Sequence, residues 1–100
     1  MMTVSLECAD FLTVEVMLED PHLYIEDFVE VAGPKGLLRY IGTWEITVFN
    51  SLQAPDVVEE LTALRSLIRG GARLEFLDTL CGLAERCART GASYLVFRGD

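Results

Sequence analysis

A two-layer α+β domain is the fold class that the sequence predicts, and one change of pattern along the chain predicts it. Up to about residue 49 apolar side chains recur at every second position, the repeat of strands with one buried face. From Pro55 to Ala88 they recur at every third or fourth position, the repeat of helices with one buried stripe. Strands followed by helices, with a last strand-like run at Tyr94–Arg98, give the order β-β-β-β-α-α-β. The expectation is a single domain over residues 1–100, with a mostly antiparallel sheet of about five strands covered on one face by two helices.

The first elements read as follows. Val4, Leu6 and Cys8 alternate with Thr3, Ser5 and Glu7, and Leu12, Val14, Val16 and Leu18 alternate with Thr13, Glu15, Met17 and Glu19. Asp20-Pro21-His22 then breaks the pattern as a turn. Leu23–Val31 and Leu37–Phe49 flank Gly33-Pro34-Lys35-Gly36, which reads as a hairpin loop pairing Glu30 with Arg39. That register puts Ile25, Val29, Tyr40, Trp44 and Ile46 on the helix-covered face with Leu12 and Val14. Tyr24, Glu26, Phe28, Glu30, Arg39 and Glu45 fall on the other. Asp27 is a misfit on the apolar face, where a bulge or Arg39 would satisfy it, and Gly42 marks a second bulge or a bend.

The helices carry clearer punctuation. Pro55 stands at a first helical position with Asp56, Glu59 and Glu60 in the opening turn. Val57, Leu61, Leu64 and Ile68 form its stripe, and Gly70-Gly71 stops it. Leu74, Leu77, Leu80, Cys81, Ala84 and Ala88 form a second stripe, with Arg86 and Arg89 in the last turn and Gly91 beyond. Leu61, Leu64, Leu77, Leu80 and Trp44 are the expected centre of the core.

Composition narrows the function classes. Apolar residues make up 51% of the chain, enough to bury a core and to exclude disorder. The formal net charge is -8, unevenly placed: residues 1–31 hold acids with no Lys or Arg, while all six of the arginines after Arg39 lie beyond residue 61. An acidic half repels phosphate backbones and attracts basic protein surfaces, so direct nucleic-acid binding is not expected. No apolar run approaches a bilayer's span. Three cysteines without a CxxC pair fit free thiols and a cytoplasmic location better than a disulfide framework or a zinc site.

The residues offer little catalytic machinery. His22 is the only histidine, set in a turn, and Cys8 is its nearest candidate nucleophile by topology. Ile68-Arg69-Gly70-Gly71-Ala72-Arg73, followed by a helix and a strand, is similar in outline to the acetyl-CoA-binding segment of the GNAT acetyltransferases. The glycines do not fall at that loop's positions, and a helix pattern precedes it where that family has a strand. No residue is carried over from it. No catalytic residue, metal ligand or cofactor is assigned.

The function expected is that of a small acidic interaction or inhibitor protein, by compositional analogy with immunity proteins and phage counter-defence proteins. It would bind a basic partner through an acidic sheet face made of Glu15, Tyr24, Glu26, Phe28, Glu30 and Glu45. A homodimer and a monomer are equally compatible with the composition, and membrane association is not expected. The alternatives are a DNA mimic, with Glu15 and Glu26 on neighbouring strands standing in for phosphates, and a small acyltransferase-like enzyme.

Overall fold

The computed structural model describes residues 1–8 and 14–99. In chain order they form β1 (Met2–Cys8), β2 (Val14–Asp20), α1 (Tyr24–Ala32), a short 3-10 helix (Leu38–Tyr40), β3 (Ile46–Asn50), α2 (Ala54–Leu64), α3 (Gly71–Arg89) and β4 (Ser93–Arg98). The architecture is α+β, with one open antiparallel sheet. Among the described residues it has four strands rather than about five, and three α-helices rather than two.

The strands run in the order β2-β1-β4-β3, so β1 and β4 are the central pair. Val4, Leu6, Leu95, Phe97 and Phe49 point from one face into a single core shared with Ile25 and Phe28 of α1, Val57, Leu61 and Leu64 of α2, and Leu77 and Leu80 of α3. Phe49 and Phe97 meet edge to face there at 5.9 Å. All three helices therefore lie on one side of the sheet. The four leucines expected at the centre of the core are buried. Leu12 lies outside the described residues.

The expected hairpin is absent, and its first arm is α1. The segment satisfies both periods: Tyr24, Ile25, Phe28, Val29 and Ala32 make a helical stripe as readily as alternate residues make a strand face. Two local features decide for the helix. The buried Asp20 carboxylate accepts the Tyr24 N–H at 3.0 Å and the Ile25 N–H at 2.8 Å, satisfying donors that a helix start leaves orphaned. Asp27, a misfit on a strand, falls on the outer side of the helix and pairs with Arg73 of α3 at 3.4 Å. Leu23, at φ 59, turns the chain between the Asp20 carboxylate and the helix.

The second arm shortens for a different reason. Glu60 of α2 accepts the N–H groups of Leu37 at 2.8 Å and Leu38 at 3.1 Å and winds the chain into the 3-10 helix. Gly36, at φ 81, lies against that carboxylate, and any Cβ there would collide with it. Arg39 therefore does not face Glu30. It lies over the Tyr40 ring at 4.7 Å and reaches the Pro34 carbonyl. Only Ile46–Asn50 remains as strand, so Tyr40, Trp44 and Ile46 are exposed instead of buried, Trp44 to 79%. A bulge completes the corrections. Leu6 pairs with Val16 but Glu7 with Val14, leaving Glu15 as the extra residue and turning Val14 to the solvent face.

Two substitutions separate true core from expected core. Leu77→Ala should cost about 2–5 kcal/mol in urea unfolding, whereas Tyr40→Ala should cost less than about 1 kcal/mol, as exposed positions do. Equal losses in the two variants would contradict this packing.

Candidate functional site

The sheet has a second face that none of the described helices covers. Across it run Val14, Met17 and Glu19 of β2, Thr3, Ser5 and Glu7 of β1, Tyr94, Val96 and Arg98 of β4, and Ile46, Val48 and Asn50 of β3. Its edges are apolar and exposed: Met17 is 56% exposed, Ile46 66% and Val48 42%. Its centre is polar and closed. Arg98 pairs with Thr3 in register, yet its guanidinium reaches Glu7, four residues further along β1. Nη1 and Nη2 grip the two carboxylate oxygens in a bidentate pair, Nη2 to Oε1 at 3.2 Å. Ser5 donates its hydroxyl proton to Glu7 and accepts Arg98 Nη1 at 3.0 Å. Arg98 holds Ser5 and Glu7 together, and Ser5, Glu7 and Val96 at the centre of the face are buried. The Arg98 hydrogen bonds hold the Glu7 carboxyl below its ordinary value, against the opposing effect of burial.

A cleft opens on the helical side. Met2, Ile25, Val29 and Ile41 floor it, and Glu26, Glu30 and Thr43 complete its lining, around a volume of about 210 Å³. Glu26 and Glu30, one helical turn apart on α1, share its rim. The Thr43 hydroxyl donates to Glu26 at 2.8 Å and fixes that carboxylate in place. No Lys or Arg is among the described residues that line this cleft.

The residues expected to form one acidic sheet face are thus dispersed. Tyr24, Glu26, Phe28 and Glu30 share a helix, not a strand. Phe28 is core, and Tyr24 packs edge to face on Phe76 at 5.5 Å with Arg73 over its ring. Glu45 sits by Gly42 in the turn that leads to β3. Glu15 is at the other end of the sheet, 3.7 Å from Arg86 of α3. Glu15 and Glu26 are not on neighbouring strands, which removes the juxtaposition on which phosphate mimicry rested. Glu7 and Arg98 were missed, because alternation marks both as outward polar residues and nothing local links positions so distant in sequence.

Burial pushes the Cys81 and Cys87 thiols up, which keeps them protonated. Cys8 lies 3.7 Å from a Glu15 oxygen, and His22 is exposed in its turn, its ring 5.3 Å from that of Tyr24. Among the described residues no three His, Cys, Asp or Glu side chains are placed to hold a metal ion, and no helix is long and apolar enough to cross a membrane. No protein-family profile matches the chain, and no curated protein or solved structure shows significant similarity to it.

The Glu7 pair has a definite pH signature. A carboxyl held below its unfolded value of about 4.3 stabilises the fold above that pH, and the contribution disappears as pH falls through the folded value. Glu7→Gln should lower stability at neutral pH by roughly 1–3 kcal/mol, the cost of leaving a buried partner imperfectly satisfied. It should also flatten the acid limb of the stability curve. Parallel acid limbs for the two proteins, measured by urea unfolding from pH 7 downward, would contradict the assignment.

Proposed function

We propose that this protein acts by binding a basic surface of a partner protein, as an interaction or inhibitor protein, with a lysine or arginine of the partner seated in the α1 cleft. The observation that supports this is the match between cleft and side chain. Lysine and arginine carry an apolar stem and a cationic head, and need an apolar floor with carboxylates at its rim. The cleft offers Met2, Ile25, Val29 and Ile41 below and Glu26 and Glu30 above. Thr43 orients the Glu26 carboxylate, so a cation meets a group that is already positioned. Glu45 on the adjoining turn adds to the same negative field, and the net charge of -8 speeds encounter with a basic partner. This reading keeps Glu26, Glu30 and Glu45 as contact residues and moves them from the sheet to the helical side.

A short lysine-rich peptide serves as the probe. Its titration should shift the amide resonances of Glu26, Val29, Glu30, Ile41 and Thr43 first, with affinity falling as salt rises. The double variant Glu26→Gln/Glu30→Gln should keep the wild-type unfolding midpoint and bind at least about tenfold more weakly, roughly 1.4 kcal/mol. Shifts centred elsewhere, or unchanged affinity in the double variant, would refute the cleft.

A further inference from the structure

The sheet is open, and its two edges are finished differently. An edge strand presents backbone N–H and C=O groups that no neighbour pairs, and proteins guard such edges with charges and bulges. β2 has both devices: the bulge at Glu15 interrupts its ladder, and Glu15 and Glu19 are exposed along it. β3 has neither. Ile46–Asn50 holds no charged residue and no proline, and its register with β4 runs unbroken. The Gly99 N–H donates to the Glu45 carbonyl at 2.9 Å, which fixes the alternation of the ladder. Thr47 and Phe49 turn their backbone groups toward β4, and Ile46, Val48 and Asn50 turn theirs outward. Asn50 is already satisfied: its N–H donates to the Gln53 side chain at 3.0 Å, and its carbonyl accepts the Gln53 N–H at 3.1 Å. Ile46 and Val48 keep two donors and two acceptors with no pairing strand among the described residues. Their side chains are exposed as well, and Trp44 stands exposed just ahead of them.

We infer that this edge takes up an extended segment of the partner protein as a fifth, antiparallel strand. The lysine or arginine proposed for the α1 cleft follows that strand in the same segment, so the inference rests on the cleft as the seat of a cation. Backbone chemistry names the kind of occupant. Donors and acceptors at alternate residues of a strand are matched by another strand, and an apolar one meets Ile46 and Val48 without burying a charge. Position gives its direction. Gln53 closes the edge at Asn50, so it is open only toward Ile46, the end from which the chain leads back to Thr43 in the cleft lining. A strand antiparallel to β3 leaves the edge at that end with its C-terminus leading. Three further residues span about 10 Å, the same reach that joins Ile46 to Thr43 along the chain. Charge selects the partner over a second copy. Glu45 adjoins Ile46, and Glu26 and Glu30 rim the cleft, so a segment with a basic end is attracted where a chain of net charge -8 is repelled.

Three capped synthetic peptides serve as probes: Thr-Val-Thr-Val-Thr-Gly-Gly-Lys-Lys, the same strand with its lysines and glycines placed first, and Gly-Gly-Lys-Lys alone. In resonance titrations at fixed salt the first should bind at least about tenfold more tightly than the other two. It alone should slow hydrogen exchange at the Ile46 and Val48 amides. N-methylation of its two valines, whose N–H groups face β3 when their side chains lie beside Ile46 and Val48, should reduce its affinity to that of Gly-Gly-Lys-Lys. N-methylation of the central threonine, whose N–H points away, should not. Val48→Pro removes an outward donor from the protein, at a position where edge strands tolerate proline. It should abolish the advantage of the long peptide and leave the binding of Gly-Gly-Lys-Lys unchanged. No advantage of the long peptide, an advantage that survives N-methylation of the valines, or equal binding of the lysine-first peptide overturns the inference, while the cleft shifts of Gly-Gly-Lys-Lys still stand on their own. Protected β3 amides with equal affinity in Glu26→Gln/Glu30→Gln would instead locate the failure in the cleft and break the joint site. Slow exchange at Ile46 and Val48 in the protein alone, deepening as its concentration rises, assigns the edge to a second copy and overturns the inference as well.

Discussion

The pairing of β1 with β4 is the constraint on which the rest of this structure depends. Glu7 and Arg98 are 91 residues apart in sequence, yet their strands lie side by side at the middle of the sheet. β2 and β3 are each held by one neighbour only. α1 starts where β2 ends, capped by Asp20, and the α2–α3 pair fills the connection from β3 to β4. Every helix is thus placed by a strand whose own position is fixed through the central pair. Closing so long a connection is entropically costly before any contact compensates for it. The two faces of the central strands supply that compensation differently. Val4, Leu6, Leu95 and Phe97 bury apolar surface under the helices, and Glu7, Ser5 and Arg98 close a hydrogen-bonded ion pair on the other side.

That division of labour also separates the two surfaces available for function. The helical side carries charge that is not cancelled locally, above all at the rim of the α1 cleft. On the other face of the sheet Arg98 cancels the charge of Glu7, and the edges are apolar. A surface of the first kind selects partners by electrostatics, and one of the second kind by shape and burial.

The legible parts of the sequence were those where one periodicity excluded the other. α2 and α3 carry apolar stripes that alternate with nothing, so their buried leucines could be read directly, although α2 ends at Leu64 instead of running on to Gly70, which opens α3. β1 is short and alternates cleanly, and β4 is a short apolar run. Tyr24–Ala32 fits both periods, and the choice rests on Asp20, whose carboxylate caps a helix only if the chain turns back on it. Residues 37–45 alternate like a strand, but the Glu60 carboxylate captures their N–H groups from another element. The Glu15 bulge inverts the start of β2. Each misreading moved site residues: with α1 taken as a strand, Glu26 and Glu30 joined Glu15 and Glu45 on a face that does not exist. The Glu7–Arg98 pair leaves no local trace at all, because long-range register is set by the whole sheet.

Native-state hydrogen exchange tests the central claim most directly, since it reports which strands open last. If the β1–β4 pair organises the fold, the amides of Val4, Leu6, Leu95 and Phe97 should exchange only through global unfolding, with protection equal to the denaturant-derived stability. Those of β2 and β3 should open at lower free energy. Amides of β1 or β4 that exchange faster than those of β2 and β3, while α3 stays protected, would show that the helices hold together without the central pair and would contradict the account.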